Sequence, residues 1–273
     1  MRLYGLANDR RETQPNRTAS KGRDEMFDLS GRTAFISGGG QGVGAGISRA
    51  LASQGAAIAV NDLFAERAQE TVDAIVADGG RAAVAAFDVC DYDAVAAGMA
   101  TVESDLGPID ILINNAGVPP GMGVTQFRET TPEQWRPYID LNTYGVMNCT
   151  HALINSMCDR GYGRIVTISS GAGTTGIPLG VAPYGAGKGG GLSFMRHLAM
   201  EVARNGVTAN TVAVGLIDNH ADPAVTAHMA KGVPVGVLGQ PQDIAALVVY
   251  LASSEASWMT GQTMELNGGS VTT

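Results

Sequence analysis

The chain is poor in cysteine, in basic residues and in long apolar runs, and each shortage removes a class of protein. Its three cysteines, Cys90, Cys149 and Cys158, are odd in number and lack metal-ligand spacing. They read as reduced, mostly buried thiols of a cytosolic protein rather than a disulfide framework. The four histidines, His151, His197, His220 and His228, form no ligand pattern, and no metal is expected. Lys and Arg total 18 against 26 Asp and Glu, a net charge of −8. A nucleic-acid surface needs clustered basic residues, so this balance argues against one and suits an enzyme of small molecules. The most apolar helical stretch, Ile244–Ala252, is too short to span a bilayer. Neither membrane nor nucleic acid is expected as a partner, and the cytoplasm is the expected compartment.

What is present begins with a contrast between the first residues and the rest. Met1–Glu25 is polar, carries charges of both signs and has no apolar run, which excludes a signal peptide. Asp9, Glu12, Asp24 and Glu25 speak against a transit peptide. Residues 1–26 read as a disordered tail, with Met26 a candidate start. Residues 27–273 suit one domain, long enough to bury a large core. Strands are expected near 33–37, 57–61, 82–87, 109–113, 163–169, 207–213 and 263–266. Helices are expected near 42–54, 64–79, 91–106, 131–159, 183–205 and 241–252. Thr131-Pro132-Glu133-Gln134 has the form of a helix start, with a capping Thr, Pro at the first position and Gln three residues after the cap. Strict alternation of strand and helix predicts an α/β fold, a parallel sheet with helices on both faces.

Two constellations carry chemistry. Thr33-Ala-Phe-Ile-Ser37 is followed at once by Gly38-Gly-Gly-Gln41-Gly42-Val43-Gly44, and then by helical spacing at Ile47, Ala50 and Leu51. A glycine turn between a strand and a helix N-terminus suits a pyrophosphate. The next strand ends in Asp62, about 20 residues on, where a carboxylate can bind both ribose hydroxyls of NAD and repel a 2′-phosphate. Asp62 serves equally as a cap for the helix near Phe64. No Arg or Lys stands at Gln41 or Leu63 to receive a 2′-phosphate, and Arg67 is the one basic residue nearby. NAD is therefore expected rather than NADP. The second constellation is Tyr184-Gly-Ala-Gly-Lys188. Residues four apart share a helix face, and a nearby cation lowers a phenol's pKa from about 10. Alone, such a pair is more often a solvated helix face.

Taken together, these residues resemble the classical short-chain dehydrogenase/reductase family, from about Phe27 to Gly269. Ser37–Gly44 is similar to its cofactor turn, with Ser where Thr is usual. Asp88-Val89 resembles its adenine contact, and Asn114-Asn115-Ala116-Gly117 the segment that supports the sheet and touches the cofactor ribose. Asn142, Ser170, Tyr184 and Lys188 match its catalytic tetrad, and Gly261–Gly269 its last strand. Ile217 joins Gly38, Gln41, Gly42, Val43, Gly44, Asp62, Leu63, Asp88, Val89, Asn115, Ala116, Gly117, Tyr184 and Lys188 in the implied cofactor-binding set. Three features depart from the pattern: Val214-Gly215 stands where Pro-Gly is usual, Asn219 where a threonine is usual, and the spacing from Ser170 to Tyr184 is one residue long. Ser169 is thus an alternative for the serine role, although Gly173, three residues after Ser170, favours Ser170.

The resemblance implies a Rossmann-type doubly wound parallel sheet in three α/β/α layers, a single domain, and a homotetramer. It implies NAD-dependent oxidation of a secondary alcohol to a ketone, and the reverse. Tyr184 would exchange the proton, Lys188 lower its pKa and hold the nicotinamide ribose, Ser170 bind the substrate oxygen, and Asn142 hold a water that links Lys188 to solvent. Pro119, Pro120, Met122, Ile177, Leu179, Val181, Val225, Met229 and Val233, on the loops 118–127, 171–183 and 217–237, suggest a neutral, fairly apolar substrate. The alternatives are an NADPH-dependent reductase of 3-oxoacyl thioesters or other carbonyls, and a non-catalytic NAD-sensing protein. The glycines of the Tyr184 helix read as close-approach positions in subunit pairing, or as a loose helix start.

Overall fold

The computed structural model describes residues 26–218 and 222–272. Among them, seven strands form one parallel sheet in the order β3-β2-β1-β4-β5-β6-β7. The strands are β1 (Thr33–Ile36), β2 (Ala57–Asp62), β3 (Arg81–Ala86), β4 (Ile109–Asn114), β5 (Gly163–Ser170), β6 (Val207–Val214) and β7 (Thr263–Leu266). The expected Rossmann-type sheet is thus present, and every expected strand lies within one residue of its place. Parallel strands need crossovers, and helices supply them.

Strand side chains alternate between faces, and the core divides accordingly. Ala34, Ile36, Ile58 and Val60 point to the layer built by α1 (Gly42–Ser53), α2 (Ala65–Ala77) and α9 (Pro241–Ala252). Phe35, Ala59, Leu112 and Ile165 point to the layer of α3 (Tyr92–Leu106), α5 (Gly145–Arg160) and α7 (Ala182–Val202). Ile36, Ile47, Ile58, Ile111 and Ile113 have no exposed surface. Burying such a side chain contributes about 1.5–3 kcal/mol, which is why these strands tolerate water on neither face.

The expected helix over 131–159 is three pieces. The helix α4 (Pro132–Ile139) runs into a π-helical turn, Asp140–Tyr144, and then into α5. Its start is as expected: Pro132 takes the first position, and the Thr131 N–H donates to Gln134 Oε1 at 2.8 Å. Two short helices were not foreseen, α6 (Gly171–Thr174) and α8 (Pro223–Ala230). The tail expected over residues 1–26 lies outside the described residues except for Met26. No described helix is long and apolar enough to cross a membrane.

Candidate active site

Gly38, Asp62, Asp88, Asn115, Ser170 and Gly215 each end or follow a strand, so parallel pairing brings them to one sheet edge. The edge is cleft between β1 and β4, where the chain reverses its winding; in such sheets ligands bind outside the carboxyl ends at that point.

The glycine turn is shaped by close approach. Gly38 and Gly42 have φ of +60° and +51°, conformations that L side chains rarely adopt. A Cβ on Gly44 would collide with the Gly38 carbonyl, and one on Gly40 would lie 2.8 Å from Asp62 Oδ2. Gln41 is the exposed residue at the N-cap of α1, Gly42 is exposed, Val43 half-buried and Gly44 buried. The backbone around this turn leaves room at the start of α1, where free N–H groups favour phosphate.

Asp62 makes the local backbone bond expected of a cap, and its other oxygen is directed at the glycine turn. Its Oδ1 accepts the Phe64 N–H at 3.1 Å ahead of α2, while Oδ2 faces Gly40. Leu63 is 51% exposed beside it. The Arg67 guanidinium stacks 4.4 Å from the centre of the Phe64 ring. Asp88 is exposed and accepts the Cys90 N–H at 2.9 Å, and Val89 is buried against Gly145.

Asn115 ties the two halves of the sheet. Its Nδ2 donates to the carbonyls of Ser37 and Gly38, at 3.0 and 2.9 Å. Ser37 Oγ receives the N–H groups of Asn115 and Ala116, at 3.0 and 3.1 Å. The serine that stands where the family has threonine thus does the tying. Asn114 sits behind, with Nδ2 directed at Thr167 Oγ1 (3.4 Å) and Thr150 Oγ1 (3.5 Å).

The four tetrad candidates converge on the same edge. Ser169 is buried and its hydroxyl donates to the Lys188 carbonyl at 3.3 Å. Ser170 is the half-buried one: its Oγ accepts the Ala172 N–H at 3.2 Å, capping α6, and lies near the Tyr184 hydroxyl. The geometry therefore selects Ser170. Lys188 is buried, and its Nζ donates to the Ile168 carbonyl at 2.7 Å. A Cβ on Gly117 would strike Lys188 Nζ and lie 2.9 Å from Asn142 Oδ1, so only glycine lets these two groups share that space. Asn142 is buried on the π-helical turn. Its Nδ2 donates to the Tyr138 carbonyl at 3.0 Å, and its Oδ1 has no protein partner. A buried, unpaired carbonyl oxygen beside an ammonium fits an ordered water.

One electrostatic expectation needs correction. Lys188 does not lower the Tyr184 pKa here. Burial raises the phenol above its ordinary value, opposed by the Ser170 hydroxyl. Lys188 Nζ is turned to the Ile168 carbonyl, 5.8 Å from the centre of the Tyr184 ring. Burial also brings the lysine itself down to about 8, so near that pH its charge is only partly present.

The helix glycines also pack inside the chain. The close approaches they make are within the chain. A Cβ on Gly185 would lie 2.7 Å from the Ala172 carbonyl on α6, and one on Gly191 2.6 Å from the Asn142 carbonyl; one on Gly187 would collide with the Tyr138 carbonyl. Two residues that sequence reasoning missed belong to this contact: Tyr138, whose ring meets that of Tyr184 edge-on at 6.5 Å, and Thr143, whose hydroxyl donates to the Gly187 carbonyl at 3.1 Å. Pro137 inside α4 was the available signal that the long helix is interrupted.

Around the site, loop 171–183 encloses a cleft of about 430 Å³ lined by residues including Gly173, Thr174, Ile177, Gly180 and Val181. Ile177, Leu179, Val118 and Val225 are exposed, as a substrate-facing role requires, but Pro119 and Val233 are buried. Val233 packs against the Gly268 turn. Ile217 bridges to Gly239 beyond β6. Val214 simply extends β6, paired with Ser170 and Leu266, so the missing proline leaves the strand undisturbed. Asn219 and His220 lie outside the described residues. Among those described, no group of His, Cys, Asp and Glu could hold a metal.

The family model described as enoyl-(acyl carrier protein) reductase matches residues 38–271. An acetoacetyl-CoA reductase of Shinella zoogloeoides is 40% identical over 243 residues, covering 87% of this chain and 98% of the relative. The chain belongs to the short-chain dehydrogenase/reductase family. A gluconate 5-dehydrogenase from Burkholderia cenocepacia, solved in complex with NADP and tartrate, superposes with a TM-score of 0.82 at 33% identity, over 89% of this chain and 96% of that one. A 3-oxoacyl-[acyl-carrier protein] reductase from Brucella melitensis with bound NAD gives 0.83 at 34% identity, over 90% and 94%. This short-chain dehydrogenase/reductase is thus an oxidoreductase of the alcohol–carbonyl type with the fold of nicotinamide-cofactor enzymes.

Proposed function

We propose that the chain reversibly oxidises a neutral, fairly apolar secondary alcohol to a ketone with NAD as acceptor. The observation that carries the reaction is the gathering of Ser170, Tyr184, buried Lys188 and Asn142 on the edge where the glycine turn opens. The observation that favours NAD is the Asp62 carboxylate against Gly40, where a 2′-phosphate would meet a negative charge.

The bound nicotinamide supplies hydride acceptance and return; the protein orients the partners and handles the proton. The glycine turn and the start of α1 hold the pyrophosphate. Asp62 and Leu63 receive the adenosine ribose, Asp88 and Val89 the adenine, and Asn115, Ala116, Gly117, Tyr184, Lys188 and Ile217 the nicotinamide half. Tyr184 accepts the alcohol proton during oxidation and returns it during reduction. Burial keeps the phenol protonated, the form that reduction needs, while the Ser170 hydroxyl favours the phenolate that oxidation needs. Ser170 fixes the substrate oxygen. Asn142 Oδ1 holds the water that passes a proton from Lys188 outward.

A second reading is favoured by the relatives: reduction of a 3-oxoacyl thioester with NADPH. The acetoacetyl-CoA reductase carries that substrate in its name, and Arg67 stands close to Gly40 and Phe64. Against it stands Asp62, whose carboxylate faces Gly40 where a 2′-phosphate would come. Retention of all four tetrad side chains in one cluster speaks against a purely cofactor-sensing role. Initial rates with NAD, NADP and their reduced forms, over neutral alcohols, ketones and acetoacetyl-CoA, decide between the readings. The first stands if neutral alcohols with NAD give the highest kcat/KM, and falls if acetoacetyl-CoA with NADPH does.

A further inference from the structure

The last turn of α4 and the π-helical turn that follows it meet α7 backbone to backbone, and two glycines make that possible. Gly187 and Gly191 flank Lys188 on the side facing the turn: the first lies under the Tyr138 carbonyl, the second under the Asn142 carbonyl. Gly189 faces away, and a Cβ there would meet only the Gly173 carbonyl, at 3.4 Å, an ordinary contact. The Tyr138 carbonyl has a second task, since it accepts the 3.0 Å hydrogen bond that orients the Asn142 side chain. With Nδ2 so held, Asn142 Oδ1 faces the space beside Gly117 that Lys188 Nζ also approaches. Thr143 closes the clasp from the other side through its 3.1 Å bond to the Gly187 carbonyl.

We propose that Gly187 and Gly191 are positioning residues: by admitting the π-helical turn against α7 they set the separation of Asn142 Oδ1 from Lys188 Nζ, and with it the passage of the proton to solvent. The inference rests on the tetrad roles given under Proposed function. A methyl group at Gly191 would start 2.6 Å from the Asn142 carbonyl, so the two backbones would have to part by about 1 Å to reach an ordinary contact. A misplacement of that size can cost on the order of 10²-fold in rate. At Gly187 the same methyl would displace the Tyr138 carbonyl and, through it, turn the Asn142 amide. The cofactor turn, on the far side of the β1–β4 cleft, is untouched.

The test uses the full chain and compares Gly187→Ala and Gly191→Ala with Gly189→Ala. Thr143→Val is added because it removes the Gly187 clasp without adding volume, and so survives even if crowding prevents folding. The readouts are kcat, KM for substrate, NADH binding by fluorescence titration, and the solvent deuterium isotope effect on kcat. Gly187→Ala and Gly191→Ala should each lose about 10- to 100-fold in kcat, keep NADH binding within about threefold and show an enlarged isotope effect. Thr143→Val should move the same way by about threefold or more, and Gly189→Ala should stay within about twofold of the wild type. Unchanged kcat and isotope effect in folded Gly187→Ala, or in Thr143→Val where Gly187→Ala does not fold, would overturn the proposal. So would a parallel collapse of NADH binding, which would mean general damage. Wild-type turnover tests the reading under Proposed function separately: its absence sinks that reading, whereas only the variant-to-wild-type ratios bear on the glycines.

Discussion

Replacing Lys188 by methionine should stabilise the protein at neutral pH while abolishing turnover, and the effect should fade with rising pH. Lys188 is buried, and its pKa of about 8 lies below the ordinary 10.5 because burial disfavours the ammonium. A folded-state pKa below the unfolded one means that the unfolded chain binds the extra proton between the two values. The penalty is therefore complete below about pH 8 and disappears as the pH rises from 8 to 10.5. The gap corresponds to about 3 kcal/mol at pH 7. Methionine removes that penalty but leaves the Ile168 carbonyl without its 2.7 Å partner, at a cost of about 1–3 kcal/mol. The net expectation at pH 7 is a variant more stable by about 0–2 kcal/mol. Between pH 7 and pH 10 the wild type should gain about 2–3 kcal/mol on the variant. Urea unfolding of both proteins at pH 7, 8, 9 and 10 measures the difference, and groups common to both cancel. A stability difference constant across that range would refute the reasoning, because Lys188 would then be no more acidic folded than unfolded.

Tyr184→Phe should lower turnover by at least about 10²-fold, the lower end of general acid–base contributions, while NADH titration shows binding retained; near-normal turnover would remove the phenol from the mechanism. Asp62→Ala should raise kcat/KM for NADP(H) relative to NAD(H); a wild type that already prefers NADP(H) would make Arg67 the determinant. A chain starting at Met26 should keep the melting temperature and activity of the full chain, and a large drop would show that residues 1–25 join the fold. Light scattering at micromolar concentration should report a tetramer; a monomer would refute the inference from the family's helix pairing.

The sheet was legible because its signals are local. Runs such as Ala57–Val60 are apolar on both faces, as buried parallel strands require, and Gly38, Asp62, Asn115 and Ser170 end or follow such strands. The candidate tetrad was legible through spacing and family likeness. What remained hidden depends mostly on backbone geometry. The π-helical turn carries ordinary residues, Asp140 to Tyr144, with Pro137 ahead of it as the one local signal, and within it Asn142 reaches back to the Tyr138 carbonyl. The intramolecular approaches of the α7 glycines were hidden because their partners, the Tyr138 and Asn142 carbonyls, are main-chain atoms. The Lys188–Tyr184 coupling was misread because spacing places two groups on one face but says nothing of a competing carbonyl, here that of Ile168.

The Asn115 tie has a mechanical consequence. Four hydrogen bonds join the end of β1 to the end of β4 across the point where the winding reverses. The two halves of the sheet are thereby a single rigid plate, with a seam where a two-domain enzyme would have a hinge. Such a plate cannot grip a ligand by folding on itself, so any closure over substrate falls to the peripheral segments 118–130, 171–183 and 222–240. Those segments can diverge to suit a new substrate without shifting the floor on which Ser170, Tyr184 and Lys188 stand.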